Sequence, residues 1–139
     1  MSILKISEAT TIALHVATIL AETPQKKYTA KELAKTISAS EAHLVKVMQR
    51  LNKYGLVKAE RGPKGGFMLD KAPEDISLLE VYEAIEGPIT ETKCLLGTPI
   101  CGEKGCLLGD LIKNVHKSFS DYMSRTKLSD LSGTFRNVG

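Results

Sequence analysis

The chain has 139 residues, 42% of them apolar, with a formal net charge of +3. That is enough for one domain with a core, plus an extension. No stretch has the apolar length of a membrane span, and Met1-Ser2-Ile3-Leu4-Lys5 lacks a signal-peptide pattern, so a cytoplasmic protein is expected.

Ser7 to Ala21 reads as a helix that Ser7 can cap, with Ala9, Ile12, Ala13, Val16, Ile19 and Leu20 on one apolar stripe. A loop over 23–27 follows. Thr29 is a good N-cap for a short helix, Ala30 to Ile37, and Glu32 completes a capping box. Ser38-Ala39-Ser40 reads as the turn of a helix-turn-helix, with Ser40 capping the next helix. That helix runs to Tyr54. Leu44, Val47, Met48 and Leu51 recur three and four apart and share one face. The other face carries His43, Lys46, Gln49, Arg50 and Lys53, long and mostly cationic donors.

Gly55 stops this helix. Leu56 to Glu60 and Phe67 to Leu69 read as two short strands. Pro63 with Gly65 and Gly66 makes the turn between them, the two glycines being expected to take positive φ. Helix, strand, glycine-rich turn and strand describe a winged helix, in which one helix enters a DNA groove and the hairpin touches the backbone or the adjacent minor groove. The charge falls where this reading needs it. Residues 26–64 carry ten Lys or Arg against three Glu, a net of +7, which leaves −4 for the remainder. Lysines usually mark a solvated surface, but here they coincide with the segment patterned for phosphate contact.

After a connector at 71–75, Ser77-Leu78-Leu79-Glu80 reads as another capping box. It opens a helix that buries Leu78, Leu79, Val81, Tyr82 and Ile85 and ends at Gly87-Pro88. Residues 88–105 have no helical or strand period, and a loop this long in a small domain is usually functional or disordered. From Cys106 to Arg125 a helical stripe returns at Leu108, Leu111, Ile112, Val115, Phe119, Tyr122 and Met123. This face is expected to meet a second copy of itself, the chain's own first helix being the other possible neighbour. A short turn at 127–131 precedes a tail expected to fray. The fold expected is mainly α with a small β-hairpin wing. Residues 1–75 form the winged helix-turn-helix, and 76–139 the cysteine loop and dimerisation helix.

The loop holds Cys94, Cys101 and Cys106, spaced C-x6-C-x4-C, among glycines at 97, 102 and 105. Three such thiols in a cytoplasmic chain point to metal or redox chemistry more than to structural disulfides. Three thiolates on a glycine-rich loop suit a soft metal or an iron–sulfur cluster. The spacing is not that of a zinc site, and no C-x-x-C redox motif is present. An enzyme or a metal carrier is a competing reading of a different class, but nothing supports catalysis: G-x-S-x-G, P-loop, G-x-G-x-x-G and H-E-x-x-H are all missing from the sequence.

The helix-turn-helix, the wing Arg61-Gly62-Pro63-Lys64-Gly65-Gly66-Phe67, the capped helix and the three-cysteine loop before a long helix resemble, in that order, the Rrf2 (Rrf-two) family of bacterial transcription regulators. Its best-known members are the iron–sulfur assembly regulator and the nitric-oxide-sensing repressor. The resemblance covers about residues 1–130. It implies a winged-helix homodimer on a pseudo-palindromic double-stranded DNA operator. It also implies a [2Fe-2S] or [4Fe-4S] cluster on Cys94, Cys101 and Cys106 that controls operator binding. The DNA-binding residues expected are Thr29, Ser40, His43, Lys46, Gln49, Arg50, Arg61, Lys64 and Gly65, with Lys46 and Arg61 singled out by the resemblance as base contacts.

Two departures from the family pattern bear on the cluster. The middle cysteine stands one place late, and the histidine that the iron–sulfur assembly regulator uses three residues after the last cysteine is replaced by Gly109. The nitric-oxide sensor instead takes an acidic ligand from the start of the partner's first helix, which here corresponds to Glu8. A carboxylate is a hard, labile ligand for iron and suits a cluster that must react. Glu8 equally suits a first helical turn, where it complements the dipole. His15, Asp110 and His116 are weaker candidates. A transcription regulator with a cysteine thiol switch and no cluster is the alternative.

Overall fold

The computed structural model describes residues 6–90, 94–96, 98, 100–103 and 105–135. Helix α1 (Glu8–Glu22) starts where Ser7 Oγ accepts from the backbone N–H of Thr10. Helix α2 (Ala30–Ile37) has the expected two-way capping box between Thr29 and Glu32. Ser38 turns left-handed, with φ +55°, and Ser40 caps α3 (Glu41–Lys53) by accepting from the His43 N–H. The starts of both helices of the helix-turn-helix are therefore set by two short side chains, Thr29 and Ser40, that satisfy backbone donors otherwise orphaned there.

The wing is an antiparallel pair, β1 (Val57–Glu60) and β2 (Gly66–Leu69), with Val57 opposite Leu69 and Glu60 opposite Gly66. Tyr28, just before the Thr29 cap, pairs with Phe67 by two backbone hydrogen bonds and adds a one-residue third strand. The turn differs from expectation in its use of glycine. Left-handed φ falls on Gly62 and Gly66, not on Gly65. Gly65 is needed for space instead, since a Cβ there would lie 2.2 Å from the carbonyl oxygen of Glu60.

Helix α4 (Leu78–Glu86) begins at Ser77, whose Oγ accepts from the Glu80 N–H at 3.1 Å. The reciprocal half of the expected box is not formed. The Glu80 carboxylate lies instead 3.5 Å from Lys71 Nζ, and Ser77 stands opposite Lys127 in a bridge whose hydrogen bonds run from Leu78 N–H to Thr126 O and from Leu128 N–H to Ile76 O. Helix α5 (Leu111–Arg125) starts five residues later than the sequence pattern suggests. Gly109 turns left-handed, at φ +58°, which ends any helical run from Cys106 and leaves Leu108 and Asp110 outside the helix.

One core joins the parts. Val16, Leu33, Leu44, Met48, Leu51, Val57, Ile76, Val81 and Leu128 are all buried in the same cluster. Each such side chain contributes about 1.5–3 kcal/mol by leaving water. Leu128 belongs to a 3-10 turn (Leu128–Leu131) after α5. The tail expected to fray is docked as far as Phe135. The Gly133 N–H donates to Glu22 Oε1 at 2.8 Å, and the Phe135 ring centre lies 6.1 Å from that of His15. Helix α5 leans on α4, where Phe119 meets Tyr82 edge to face at 5.1 Å. Its outer face is bare: Leu111, Val115 and Tyr122 are 54%, 54% and 52% exposed. Among the described residues, no helix is long and apolar enough to cross a membrane.

Candidate DNA-binding face and cysteine loop

Helix α3 buries Leu44, Val47, Met48 and Leu51, so its opposite face must point outward. Ser40, Lys46, Gln49 and Arg50 are exposed there, and His43 is half-buried. The wing presents Arg61 and Lys64 in the open and holds Gly65 partly covered. Thr29 and Ser40 spend their hydroxyls on capping, accepting from the Glu32 and His43 backbone N–H groups and so fixing the first turns of α2 and α3. Lys27 pairs with Glu60 at the turn end of β1, and its hydrogen bond holds that carboxyl below the usual carboxylate range. Lys26 lies over the Tyr28 ring, 4.6 Å from its centre. The Asn52 amide donates to Val57 O at 3.0 Å, tying the end of α3 to the start of the wing.

Arg50 differs from its neighbours. Its Nε donates to Ala84 O at 3.1 Å and its Nη2 to Ile85 O at 3.4 Å, both at the end of α4. It is exposed, yet two of its donors face the protein's own backbone.

Cys94 and Cys106 are half-buried, Cys101 is exposed, and all three are free thiols. The Leu96 N–H donates to Cys94 Sγ and the Leu108 N–H to Cys106 Sγ, each at 3.4 Å. Backbone N–H groups aimed at sulfur are what tune thiolate ligands and iron–sulfur centres. In kind and number the donors fit such a group. Among the described residues, however, no three metal-binding side chains converge. The three thiols must close together before they can share a ligand.

Glu8 is not with the cysteines of its own chain. Its Oε1 lies 3.6 Å from His43 Nδ1, so the first residue of α1 touches the start of the reading helix. His15 Nδ1 is hydrogen-bonded to Thr11 O at 2.6 Å, towards the tail. His116 lies on α5 beside a groove of about 620 Å³ that is also lined by Tyr82, Ile89, Leu95, Val115 and Phe119. Asp110 sits just before α5 and caps nothing with its side chain. It is therefore not one helical turn on from Cys106, as a helix starting there would have placed it.

Sequence reasoning missed a cluster at the start of α1. Glu86 Oε1 accepts from Ser7 Oγ and from Thr10 Oγ1, at 2.5 Å each, and Thr10 is fully buried. The two hydroxyls hold the Glu86 carboxyl below its usual range, Ser7 contributing most, against a smaller opposing effect of burial. Burial, then the nearby Glu86 charge, pushes the Tyr82 phenol up. No local signal links Ser7 to a residue 79 positions away. Tyr28, also missed, did leave one: a strand-forming residue directly before a helix cap.

A helix-turn-helix with a basic outer face, a hairpin wing beside it and a long helix with a bare apolar face defines a winged-helix transcription regulator. Comparison with known proteins agrees. Residues 6–134 match the Rrf2 family, described as an iron-dependent transcriptional regulator. The chain belongs to this family. The HTH-type transcriptional regulator NsrR of Bacillus subtilis (strain 168) is 35% identical over 112 residues, covering 75% of this chain and 77% of that protein. The HTH-type transcriptional regulator IscR of Erwinia tasmaniensis is 32% identical over 90 residues, covering 65% of this chain and 54% of that protein. The structure of CymR (YrzC), the global cysteine regulator of B. subtilis, superposes with a TM-score of 0.80 at 26% identity, covering 96% of this chain and 100% of that one. These relatives are transcription regulators and not enzymes.

Proposed function

We propose that the protein is a homodimeric, cytoplasmic regulator whose binding to a pseudo-palindromic operator is controlled by an iron–sulfur cluster on Cys94, Cys101 and Cys106. The observation that carries this reading is the pair of half-buried thiols, Cys94 and Cys106, that already receive backbone N–H hydrogen bonds on a three-cysteine loop. The matched family's iron-dependent description and the relatives NsrR and IscR support it. When bound, such a cluster supplies a centre that reacts with oxidants or nitric oxide. The partner's Glu8 is the proposed fourth ligand; it is exposed at the start of α1, and it would have to leave His43 to reach across a dimer.

The residues of this chain then have separate tasks. Ser40, His43, Lys46 and Gln49 on α3 read the major groove, with Thr29 capping the helix behind them. Arg61, Lys64 and Gly65 bring the wing to the phosphates. Leu111, Val115, Phe119 and Tyr122 pair two copies through α5, and the groove between α4 and α5 is the cavity that such a partner covers. Changing each cysteine to Ala is expected to lower iron and sulfide content. Glu8→Ala is expected to leave a cluster that forms but decays faster in air or nitric oxide. An unchanged spectrum and decay rate would remove Glu8 from the ligand set.

A second reading, a thiol switch without a cluster, is favoured by the exposed, free Cys101 and by the likeness to the global cysteine regulator CymR. It predicts a colourless protein whose titratable thiol count changes with oxidation while operator binding changes in step.

A further inference from the structure

The last turn of α4 is where three parts of the molecule meet. The cysteine loop leaves from it, and Glu83 Oε2 accepts from the Ile89 N–H at 2.9 Å, which fixes the loop's first residues. Glu86 holds the start of α1 through Ser7 and Thr10. Arg50 of α3 donates to Ala84 O and Ile85 O. Those carbonyls belong to the last four of the helix and have no partner within it. A cation there also complements the negative end of the helix dipole. Arg suits this task because its planar fork presents several donors in fixed directions, whereas Lys offers one mobile point charge.

We propose that Arg50 is the positioning residue that couples the cysteine loop to the recognition helix, by its hydrogen bonds to the end of α4, and is not a base contact. This rests on the reading of the loop as the regulatory element. A shift in the loop moves the turn Glu83–Glu86. Ala84 O and Ile85 O move with it, and Arg50 carries the displacement into α3, one turn beyond Lys46. The same tie runs backwards: operator seated on α3 must alter the loop, because coupling between two sites is reciprocal.

The test uses that reciprocity on the reduced, metal-free protein, so it does not depend on what the loop holds. The rate of cysteine alkylation by iodoacetamide is measured with and without a duplex operator selected from random DNA. In the wild type, saturating operator is expected to change the rate about five-fold or more, and in Arg50→Gln and Arg50→Lys it should change by less than about two-fold. Both variants should still prefer the operator over random DNA, and Arg50→Lys should keep the wild-type salt dependence of binding. The proposal is overturned if operator leaves the wild-type rate unchanged, if the operator effect survives in either variant, or if Arg50→Lys loses sequence preference. Iron and sulfide uptake, measured separately on the wild type, decides the cluster reading.

Discussion

Lys46 and Lys64 stand for two kinds of DNA contact. Lys46 points from the middle of α3, where a groove-bound helix meets base edges, and Lys64 stands at the tip of the wing. Lys46→Ala is expected to relax sequence preference at one operator position, at a cost of about 1–3 kcal/mol if it contacts a guanine. Lys64→Ala is expected to weaken binding to all sequences and to lower the salt slope by about one. Fluorescence titrations across a salt series, on operator and on mismatched duplexes, separate the two. Gly65→Ala tests the wing from within. Its new Cβ would strike the Glu60 carbonyl, so the hairpin must shift. Overpacking of this kind costs about 1–3 kcal/mol, read as a lower midpoint in urea, and operator affinity should fall with it. That a glycine stands here was legible in the sequence. Which demand it meets was not, because left-handed backbone and lack of space call for the same residue.

At the scale of elements, the starts of helices were easy to read and their tertiary partners were not. Ser7, Thr29, Ser40 and Ser77 all cap their helices, although at Ser77 only one half of the expected box forms. The start of α5 was misread because Leu108 happens to continue an apolar stripe that Gly109 breaks. The Glu86 clasp between α1 and α4 could not be read, since a capping serine looks the same whether or not a distant carboxylate shares its hydroxyl. This clasp predicts a pH dependence. The folded protein holds the Glu86 carboxyl below its ordinary value of 4.5, so folding favours the ionised form. The contribution is present above that ordinary value and is lost as pH falls through the lower, folded one. Glu86→Gln is therefore expected to lower the melting temperature most near neutral pH. The gap to the wild type should narrow below pH 4.5. A gap that stays constant from neutral to acid pH would mean that the charge contributes nothing to the clasp.

For the whole molecule, the order of parts was legible: helix-turn-helix, wing, capped helix, cysteine loop, long helix. Periodicity within each element carries that information. How the tail folds back was not legible, because Leu128 and Phe135 find their places on α1 only once the core exists. A single chain leaves the outer face of α5 bare. Val115→Glu would bury a charge at the centre of the proposed dimer contact. It is expected to give a one-chain mass in light scattering at micromolar concentration and to lose tight operator binding, since two half-sites then need two independent binding events. A two-chain mass for this variant would place the interface elsewhere.

Regulation as proposed requires that a cluster on the cysteine loop control DNA binding. The most direct measurement is anaerobic reconstitution with ferrous iron and sulfide, followed by titration of operator with the loaded protein and with the same preparation stripped of metal. The expected result is a coloured protein that contains both iron and sulfide, with operator affinity differing between the two forms by about 5–150-fold. A colourless protein with no bound iron or sulfide, or a loaded protein with the same operator affinity as the stripped one, would contradict it.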